Sequence, residues 1–262
     1  MLSSPAGLPR ITVITPSYNQ SRYIEQTIHS VLDQHYPDLE YIIMDGGSTD
    51  GTLDILGKYE DRLLWVSEAD RGQSHAINKG LARASGDVIA FLNSDDVYEP
   101  GALLAVGQYF AAHPEAYWLT GCCRTINSIG IEIRKYSTLY KKCWLLFPSY
   151  KVLLILNYIS QPATFWRRGV IEYVGFFDEN MHYSMDYDYS LRVGKYYKLC
   201  VLNRYLASFR IHPTSKAGIS AQKMFDMDFL IACNYTHSAF LKRLHFFHNL
   251  LIMHIYRRLF IS

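Results

Sequence analysis

The sequence predicts an α/β domain with a mainly parallel central sheet flanked by helices, followed by a helical tail. Short apolar runs alternate with segments of helical periodicity along the first half of the chain, which is typical of successive βαβ units. Several of these runs lead into polar residues, as expected at the carboxyl edge of an open sheet. With 262 residues, of which 49% are hydrophobic, the chain can form one large domain with a sizeable core.

Four apolar runs in the first half are predicted strands, at 11–15, 41–44, 63–66 and 88–92. The first run ends at Pro16, and the second leads into the turn-rich segment DGGSTDGT. Helices are predicted between the strands from apolar residues at helical spacing, namely Ile24, Ile28, Val31 and Leu32, then Leu53, Leu56 and Tyr59, then Ile77, Leu81 and Ala84. Because right-handed crossovers place the carboxyl ends of parallel strands at one edge, Thr15, Asp45 and Asp95 are expected to converge there.

The second half of the chain has a less regular pattern. It predicts a helix over 103–110, strands at 117–120 and 205–211, a helix beginning at Asp186 and a helical tail after Lys216. The predicted organisation is an N-terminal extension at 1–10, a domain at 11–218 and a tail at 219–262. The domain divides into a nucleotide-sugar-binding half at 11–123 and an acceptor and catalytic half at 124–218.

Composition excludes several classes of protein. The formal net charge of +2 argues against a general nucleic-acid binder. Five cysteines without a Cys-x-x-Cys spacing indicate neither a zinc site nor a disulfide framework. Residues 1–10 lack the apolar core of a signal peptide, and no stretch offers the roughly 20 apolar residues of a membrane span. These features together predict a cytoplasmic protein.

The tetrapeptide Asn93-Ser94-Asp95-Asp96 is the strongest single indication of chemistry. It follows the buried strand predicted at 88–92, so its carboxylates are expected at the mouth of the sheet. Hard oxygen ligands in that position suit Mg²⁺ or Mn²⁺ holding a substrate diphosphate. A solvated turn uses the same residue types, and this segment alone leaves both interpretations open.

Seven segments in order resemble family-2 glycosyltransferases over roughly 11–216. They are ITVITPSYN at 11–19, DGGSTDGT at 45–52, DRGQSHAINKG at 70–80, GDVIAFLNSDD at 86–96, QPA at 161–163, MDYD at 185–188 and FRIH at 209–212. The resemblance implies a GT-A fold and an inverting enzyme that uses a nucleotide sugar. Each motif is weak by itself, and their shared order and spacing make the combination specific.

The resemblance assigns residues to the donor. Those implied in nucleotide-sugar binding are Thr15, Pro16, Tyr18, Asn19, Asp45, Arg71, Asn78, Asn93, Asp95, His212 and Lys216. Among them Asp45 is implied to hydrogen-bond the base, and His212 and Lys216 to approach the diphosphate. Metal ligation by Asp95, Asp96 and His212 is implied, with Mn²⁺ or Mg²⁺ as cofactor. This chain has Asn93 where an acid often stands, which removes one charge from the site.

The resemblance also places the catalytic base at Asp186, where Met185 replaces a frequent Glu. An inverting displacement needs one carboxylate beside the acceptor hydroxyl. The alternative for Asp186 is an acid that caps the helix beginning there. Asp188 is expected to have a structural or acceptor-contacting role.

Apolar residues of the tail recur at helical spacing with basic residues beside them. The apolar set is Phe240, Leu241, Leu244, Phe247, Leu251 and Ile255, and the basic set is Lys242, Arg243, Arg257 and Arg258. This pattern fits a helix lying on a membrane surface. It equally fits a helix packed on the domain or on a second subunit, so peripheral membrane contact and a homodimer both stay open.

The sequence therefore predicts transfer of a single sugar from a nucleoside diphosphate sugar, UDP- or dTDP-linked, to a hydroxyl of a glycan or lipid-linked acceptor. Cell-surface polysaccharide or lipid-linked glycan assembly is the expected setting, without nucleic acid. A processive synthase is disfavoured because the chain lacks a Gln-x-x-Arg-Trp motif. Two alternatives are a sugar-phosphate nucleotidyltransferase and a catalytically silent nucleotide-sugar-binding protein.

Overall fold

The computed structural model describes residues 7–216 and 221–260. A single sheet holds the strands β1 (Ile11–Ser17), β2 (Leu39–Asp45), β3 (Leu64–Ser67), β4 (Val88–Phe91), β5 (Val97–Tyr98), β6 (Trp118–Ile126), β7 (Glu132–Ile133), β8 (Thr164–Arg167) and β9 (Leu199–Arg210). Their order across the sheet is β3-β2-β1-β4-β8-β6-β9-β5, with β7 paired to β6. The strands β1 to β4 are mutually parallel, and β8 is antiparallel to both of its neighbours. Both halves of the chain therefore contribute to one sheet.

Helices cover the two faces of this sheet. They are α1 (Ile24–Leu32), α2 (Thr52–Gly57), α3 (Gln73–Arg83), α4 (Ala102–Ala112), α5 (Lys135–Leu145), α6 (Tyr150–Leu153), α7 (Arg168–Val174), α8 (Met185–Gly194), α9 (Ala221–Tyr235) and α10 (Ala239–Phe260), with a one-turn 3₁₀ helix at Gln161–Ala163. The apolar positions predicted for the first helix lie on α1, and Ile77 and Leu81 of the third lie on α3; all of them face the core. Ala84 is also buried but follows the end of α3.

Two apolar clusters lie on opposite faces because successive strand residues point to opposite sides. Ile14 of β1 belongs to the cluster that also contains α3 and α8. Its neighbour Val13 belongs to the cluster that contains α1 and α4. The strands β1 and β4 are buried along their whole length, as expected for parallel strands covered on both faces.

The first strand extends further than the sequence predicts. β1 continues through Pro16 to Ser17, which pairs with Asp45 of β2. Proline cannot donate to a strand ladder, but the pairing of β1 with β4 stops at Ile14 and Phe91. Pro16 therefore needs no partner on that side. The long strand carries residues 16 and 17 to the sheet edge where the functional side chains gather.

The tail packs on the domain. Ile231 and Ala232 of α9 are 2% exposed and join the cluster around α8. In α10, His245 is buried, with its Nδ1 2.9 Å from the carbonyl oxygen of Leu154. One face of α10 therefore packs on the domain, in line with the packed-helix alternative, and α9 packs there as well. Within residues 7–216 and 221–260, every helix is too short or too polar to span a bilayer.

Candidate active site

One cavity of about 850 Å³ opens at the carboxyl edge of β1 and β4, with walls from both halves of the chain. Eight of the residues implied by the resemblance line it: Pro16, Tyr18, Arg71, Asn93, Asp95, Asp186, His212 and Lys216. These positions are up to 200 residues apart, since the first is 16 and the last is 216. The expected convergence at one sheet edge therefore includes donor-side and acceptor-side candidates. We call this space the central cavity.

Asp95 and His212, both predicted to bind the sugar donor, lie beside each other at the cavity wall. His212 Nε2 lies 3.0 Å from Asp95 Oδ2, and the opposite ring nitrogen lies 2.9 Å from the hydroxyl of Thr214. The imidazole also packs against Tyr23 at 4.6 Å between ring centroids. The ring is thereby oriented from both edges and one face, with a carboxylate beside it at the cavity wall.

Asp96, predicted as a metal ligand with Asp95, does not line the central cavity. It is fully buried, and its Oδ1 accepts a hydrogen bond from the backbone N–H of Arg210 at 2.7 Å. Its Oδ2 accepts from the amide of Asn93 at 3.1 Å. Burial, followed by the charge of Asp95, raises the pKa of Asp96. Adjacent residues of one turn point in different directions, so Asp96 ties β9 to the turn while Asp95 faces the cavity.

Asp45, predicted to bind the base, also lies outside the cavity lining. Its Oδ2 accepts hydrogen bonds from the backbone N–H groups of Gly47 and Ser48 and from the hydroxyl of Ser67. Its Oδ1 accepts from the Ser48 hydroxyl at 2.5 Å. The carboxylate is saturated by the loop that it organises, and the neighbouring Gly46 lines the cavity instead.

Three further residues that were predicted to bind the nucleotide sugar lie outside the lining of the central cavity. The Thr15 hydroxyl lies 3.1 Å from Tyr41 Oη in the buried layer. The side-chain oxygen of Asn19 accepts from the backbone N–H of Thr49, and Asn19 lines a smaller neighbouring pocket. The side-chain amide of Asn78 donates a hydrogen bond to the carbonyl oxygen of Phe177 and accepts one from the backbone N–H of the same residue. These three side chains are engaged in the protein's own hydrogen bonds.

Asp186 reaches the cavity from the first turn of α8. Ser184, directly before this helix, has a φ of 56°, an uncommon backbone conformation for a non-glycine residue. Burial raises the pKa of Asp186, while the charges of Lys141 and Lys216 and the N–H groups of the helix start lower it. A half-buried carboxylate flanked by two cations is suited to holding and releasing a proton.

Asp188 has a structural role. It is 5% exposed, and its Oδ2 accepts a hydrogen bond from Arg192 at 2.9 Å. Its Oδ1 accepts from the hydroxyl of Tyr235 in α9 at 2.5 Å. Asp188 does not line the cavity, because two residues along a helix turn its side chain away from the face of Asp186.

A polar chain across the cavity was not assigned from the sequence. Lys216 donates to Gln73 Oε1 at 2.8 Å, and the Gln73 amide donates to Asn93 at 2.6 Å. Gln161 donates to the carbonyl oxygen of Phe91, the last residue of β4, at 2.5 Å. Gln73 and Gln161 both lie in motifs that carry the family resemblance, and that was the available signal. Lys141 had no such signal.

Asp228 of α9 is a second acidic group behind the catalytic candidate. The charge of Asp186 is one of the causes that raise its pKa, after burial, while Ser184, Asn157 and Lys141 lower it; the result is about 7. Its Oδ1 is buried and has no hydrogen-bond partner among the residues that the structure describes. Nothing in the tail sequence indicated that α9 would bring a carboxyl group to this place.

The family model of glycosyl transferase family 2 matches residues 12–174. The chain belongs to this family, and its sheet has the GT-A fold. The matched region includes Asp95, whereas Asp186, His212 and the tail lie beyond it.

Curated relatives of the chain are named as glycosyltransferases of biosynthetic pathways. The chain is 46% identical over 117 residues to a putative teichuronic acid biosynthesis glycosyltransferase, TuaG, of Bacillus subtilis, which covers 43% of this chain and 46% of that protein. It is 28% identical over 189 residues to a PGL/p-HBAD biosynthesis glycosyltransferase of Mycobacterium tuberculosis, covering 70% and 69%. The match spans about half or less of the first relatives, at 46%, 33% and 38% of their lengths.

Solved structures share the fold. The chain resembles Staphylococcus aureus TarS 1–349 in complex with UDP-GlcNAc with a TM-score of 0.67 at 20% identity, covering 88% of this chain and 67% of that one. It resembles the mannosyltransferase PcManGT from Pyrobaculum calidifontis, in complex with GDP-Man and Mn²⁺, with a TM-score of 0.68 at 21% identity, covering 94% and 70%. At these identities the likeness shows the fold alone.

Proposed function

We propose that this family-2 glycosyltransferase moves one sugar, with inversion, from a uridine or thymidine diphosphate sugar to an acceptor hydroxyl. The observation that carries the proposal is the single central cavity, which Asp95 and His212 reach from one set of elements and Asp186 from another. One cavity thus contains a place for the diphosphate and a carboxylate for the acceptor.

On the donor side, the nucleoside would lie against Tyr18, Gly46 and Arg71, which line the cavity beside the Asp45 loop. Tyr18 is 61% exposed, so its ring is free to stack on a base. Arg71 is paired with Glu179, which fixes the guanidinium at the rim. This arrangement supports a planar base and ribose at this end of the cavity.

The carboxylate of Asp95 and the imidazole of His212 fit Mg²⁺ or Mn²⁺. No group of three or more His, Cys, Asp or Glu side chains is arranged for a metal within residues 7–216 and 221–260. Such an ion keeps several water or phosphate oxygens, so two protein ligands suffice when the diphosphate supplies others. When bound, the ion would stabilise the negative charge of the departing diphosphate. Lys216 would add a second cation on this side.

On the acceptor side, Asp186 would act as the general base. The acceptor oxygen forms a bond to the anomeric carbon while the bond from that carbon to the diphosphate oxygen breaks. The hydroxyl proton passes to a carboxylate oxygen of Asp186. Burial raises the pKa of Asp186, and the charge of Lys141 opposes that rise and so would favour the ionised carboxylate.

The relatives support a biosynthetic setting and a nucleoside diphosphate sugar as the donor, while the choice of uridine or thymidine rests on the family resemblance. The name of TuaG places that enzyme in teichuronic acid biosynthesis, and the TarS and PcManGT complexes contain UDP-GlcNAc, or GDP-Man with Mn²⁺. We propose for this chain a glycan or lipid-linked acceptor of the cell surface, reached from the cytoplasmic side of the membrane.

The substitution Asp186→Asn tests the proposal. It keeps the size of the side chain and cannot accept the proton, so transfer should fall by about 10²- to 10⁴-fold. Donor affinity, measured by calorimetry on the same preparation, should change little because Asp186 serves the acceptor. Asp61→Asn, at an exposed position after α2, is the matched control and should leave both quantities unchanged.

Four outcomes would contradict this assignment in different ways. Normal transfer by the Asp186 variant would place the base elsewhere. Lost donor binding would show that Asp186 contacts the nucleotide. Formation of a nucleotide sugar from a nucleoside triphosphate and a sugar phosphate would identify a nucleotidyltransferase, and donor binding without transfer to any acceptor would favour a silent binding protein.

A further inference from the structure

Two segments far apart in sequence expose large apolar side chains. On α5 and the turn after it these are Tyr136, Leu139 and Phe147, and on α10 they are Phe240, Phe247 and Leu251; each is more than half exposed, up to 82% for Tyr136. Exposed apolar residues concentrated in this way usually mark a surface that binds something. We call these six residues with their two helices the aromatic face.

The two segments are neighbours in the structure. Tyr140 Oη of α5 lies 2.9 Å from His248 Nε2 of α10, and the two rings stack with centroids 6.2 Å apart. The opposite side of α10 is committed to the domain, where His245 is 1% exposed. Packing therefore fixes which side of the helix is free, and the free side carries the aromatic face.

The charge of the aromatic face has one sign. Residues 133–171 and 229–262 contain no Asp or Glu, although they contain seven and four Lys or Arg residues respectively. Of these basic residues, Lys135, Lys151, Arg243 and Arg258 are exposed. A second copy of this chain on the face would bring like charges together, which disfavours self-association. Aromatic rings with basic side chains and no acids are instead the composition that binds an anionic lipid interface.

The aromatic face adjoins the central cavity through α5. Ser137, Thr138 and Lys141 of this helix line the cavity, while Tyr136 and Leu139 of the same helix are exposed. One helix thus has the cavity on one side and the exposed apolar residues on another. A surface covering the aromatic face would lie next to the acceptor side of the site.

We propose that the aromatic face docks on an anionic membrane surface, so that a hydroxyl of a lipid-linked acceptor can enter the central cavity past α5. The acceptor part of this inference rests on the proposed function. The docking part does not, because binding to lipid needs neither donor nor catalysis. The aromatic and aliphatic side chains would enter the headgroup region while the basic residues face lipid phosphates.

Vesicle co-sedimentation of the full chain tests the docking. Binding to vesicles with one third phosphatidylglycerol should exceed binding to pure phosphatidylcholine by at least about tenfold and should weaken in about 0.5 M salt. The double variants Phe247→Ser/Leu251→Ser and Tyr136→Ser/Phe147→Ser should each lower binding by at least about fivefold. The control Leu64→Ser/Leu104→Ser removes two exposed apolar residues of β3 and α4 and should bind like the unaltered chain.

Circular dichroism and donor affinity on each variant establish that the fold is retained. Equal binding to both kinds of vesicle, or unchanged binding by both face variants, would overturn the inference. So would a dimer in sedimentation velocity that the face variants dissociate, since that would make the face a subunit interface. Intact donor binding and transfer without vesicle binding would end this inference alone. Vesicle binding without any transfer would leave the docking part standing, and it would count against the proposed function and the acceptor part together.

Discussion

The Asp45 loop, on the proposed donor side, and the helix of Asp186, on the proposed acceptor side, are held in place by different kinds of contact. On the donor side, Asp45 closes its own loop through Ser48, three residues away. On the acceptor side, the helix of Asp186 is fastened by Asp188 to Tyr235, 47 residues away in the tail. Local contacts form as soon as the loop forms, whereas the tail must be folded before the second set exists. The helix that carries Asp186 should therefore depend on remote residues, whereas the Asp45 loop should not.

The first prediction uses the buried side of α9. Ile231→Ala removes most of a side chain that is 2% exposed in the core around α8, so the free energy of unfolding should fall by about 2–4 kcal/mol. Its neighbour Leu230 is 57% exposed, and Leu230→Ala should stay within about 0.5 kcal/mol. Urea unfolding measures both. Similar small effects of the two substitutions would mean that the tail does not stabilise the domain. The contrast between the Asp45 loop and the helix of Asp186 would then be lost.

The second prediction separates the two adjacent acids. Asp95→Asn should weaken Mn²⁺-dependent nucleotide binding at least about tenfold, or about 1.4 kcal/mol, without loss of stability. Asp96→Ala should instead lower the unfolding free energy by about 1–3 kcal/mol, because the backbone N–H of Arg210 loses its acceptor. Calorimetry with UDP, with and without Mn²⁺, and urea unfolding give the two readings. A reversed result would make Asp96 the ligand and Asp95 the structural residue.

The third prediction concerns pH and the acidic group of the tail. In the folded protein the pKa of Asp228 is raised from 3.8 to about 7, so folding holds a proton that the unfolded chain releases above pH 4. The contribution of this carboxyl group to the free energy of unfolding therefore falls as pH rises from about 4 to 7. Above pH 7 the group disfavours folding most. Asp228→Asn stays neutral and should raise Tm at pH 8 by about 2–4 °C, which corresponds to about 1 kcal/mol.

At pH 5 the same substitution should change Tm much less, because Asp228 is then protonated in the fold. Thermal unfolding of both proteins at the two pH values provides the comparison. The groups that act on this carboxyl are Asp186, which opposes its ionisation, and Lys141, which favours it. An equal effect of Asp228→Asn at pH 5 and pH 8 would show that the carboxyl titrates normally and is not held beside Asp186.

The sequence by itself determined the parallel sheet and the donor-side edge. Buried parallel strands require continuous apolar runs, and chain connectivity forces their carboxyl ends to one side. The segments that follow β1, β2 and β4 were therefore expected near each other, and Pro16, Tyr18, Asn93 and Asp95 do line one cavity. Periodicity also predicted which sides of α1 and α3 are buried.

Only the tertiary structure decided which polar side chain of each turn faces the cavity. Asp95 and Asp96 have the same chemistry and adjacent positions. They differ because the backbone N–H of Arg210, 114 residues away from Asp96, donates a hydrogen bond to Asp96. The same holds for Asp228 and Lys141, which meet near Asp186 through helix packing. The spacing of apolar residues predicts which side of one helix or strand is buried. Contacts between elements depend on how those elements pack, and the sequence of a single element does not determine that packing.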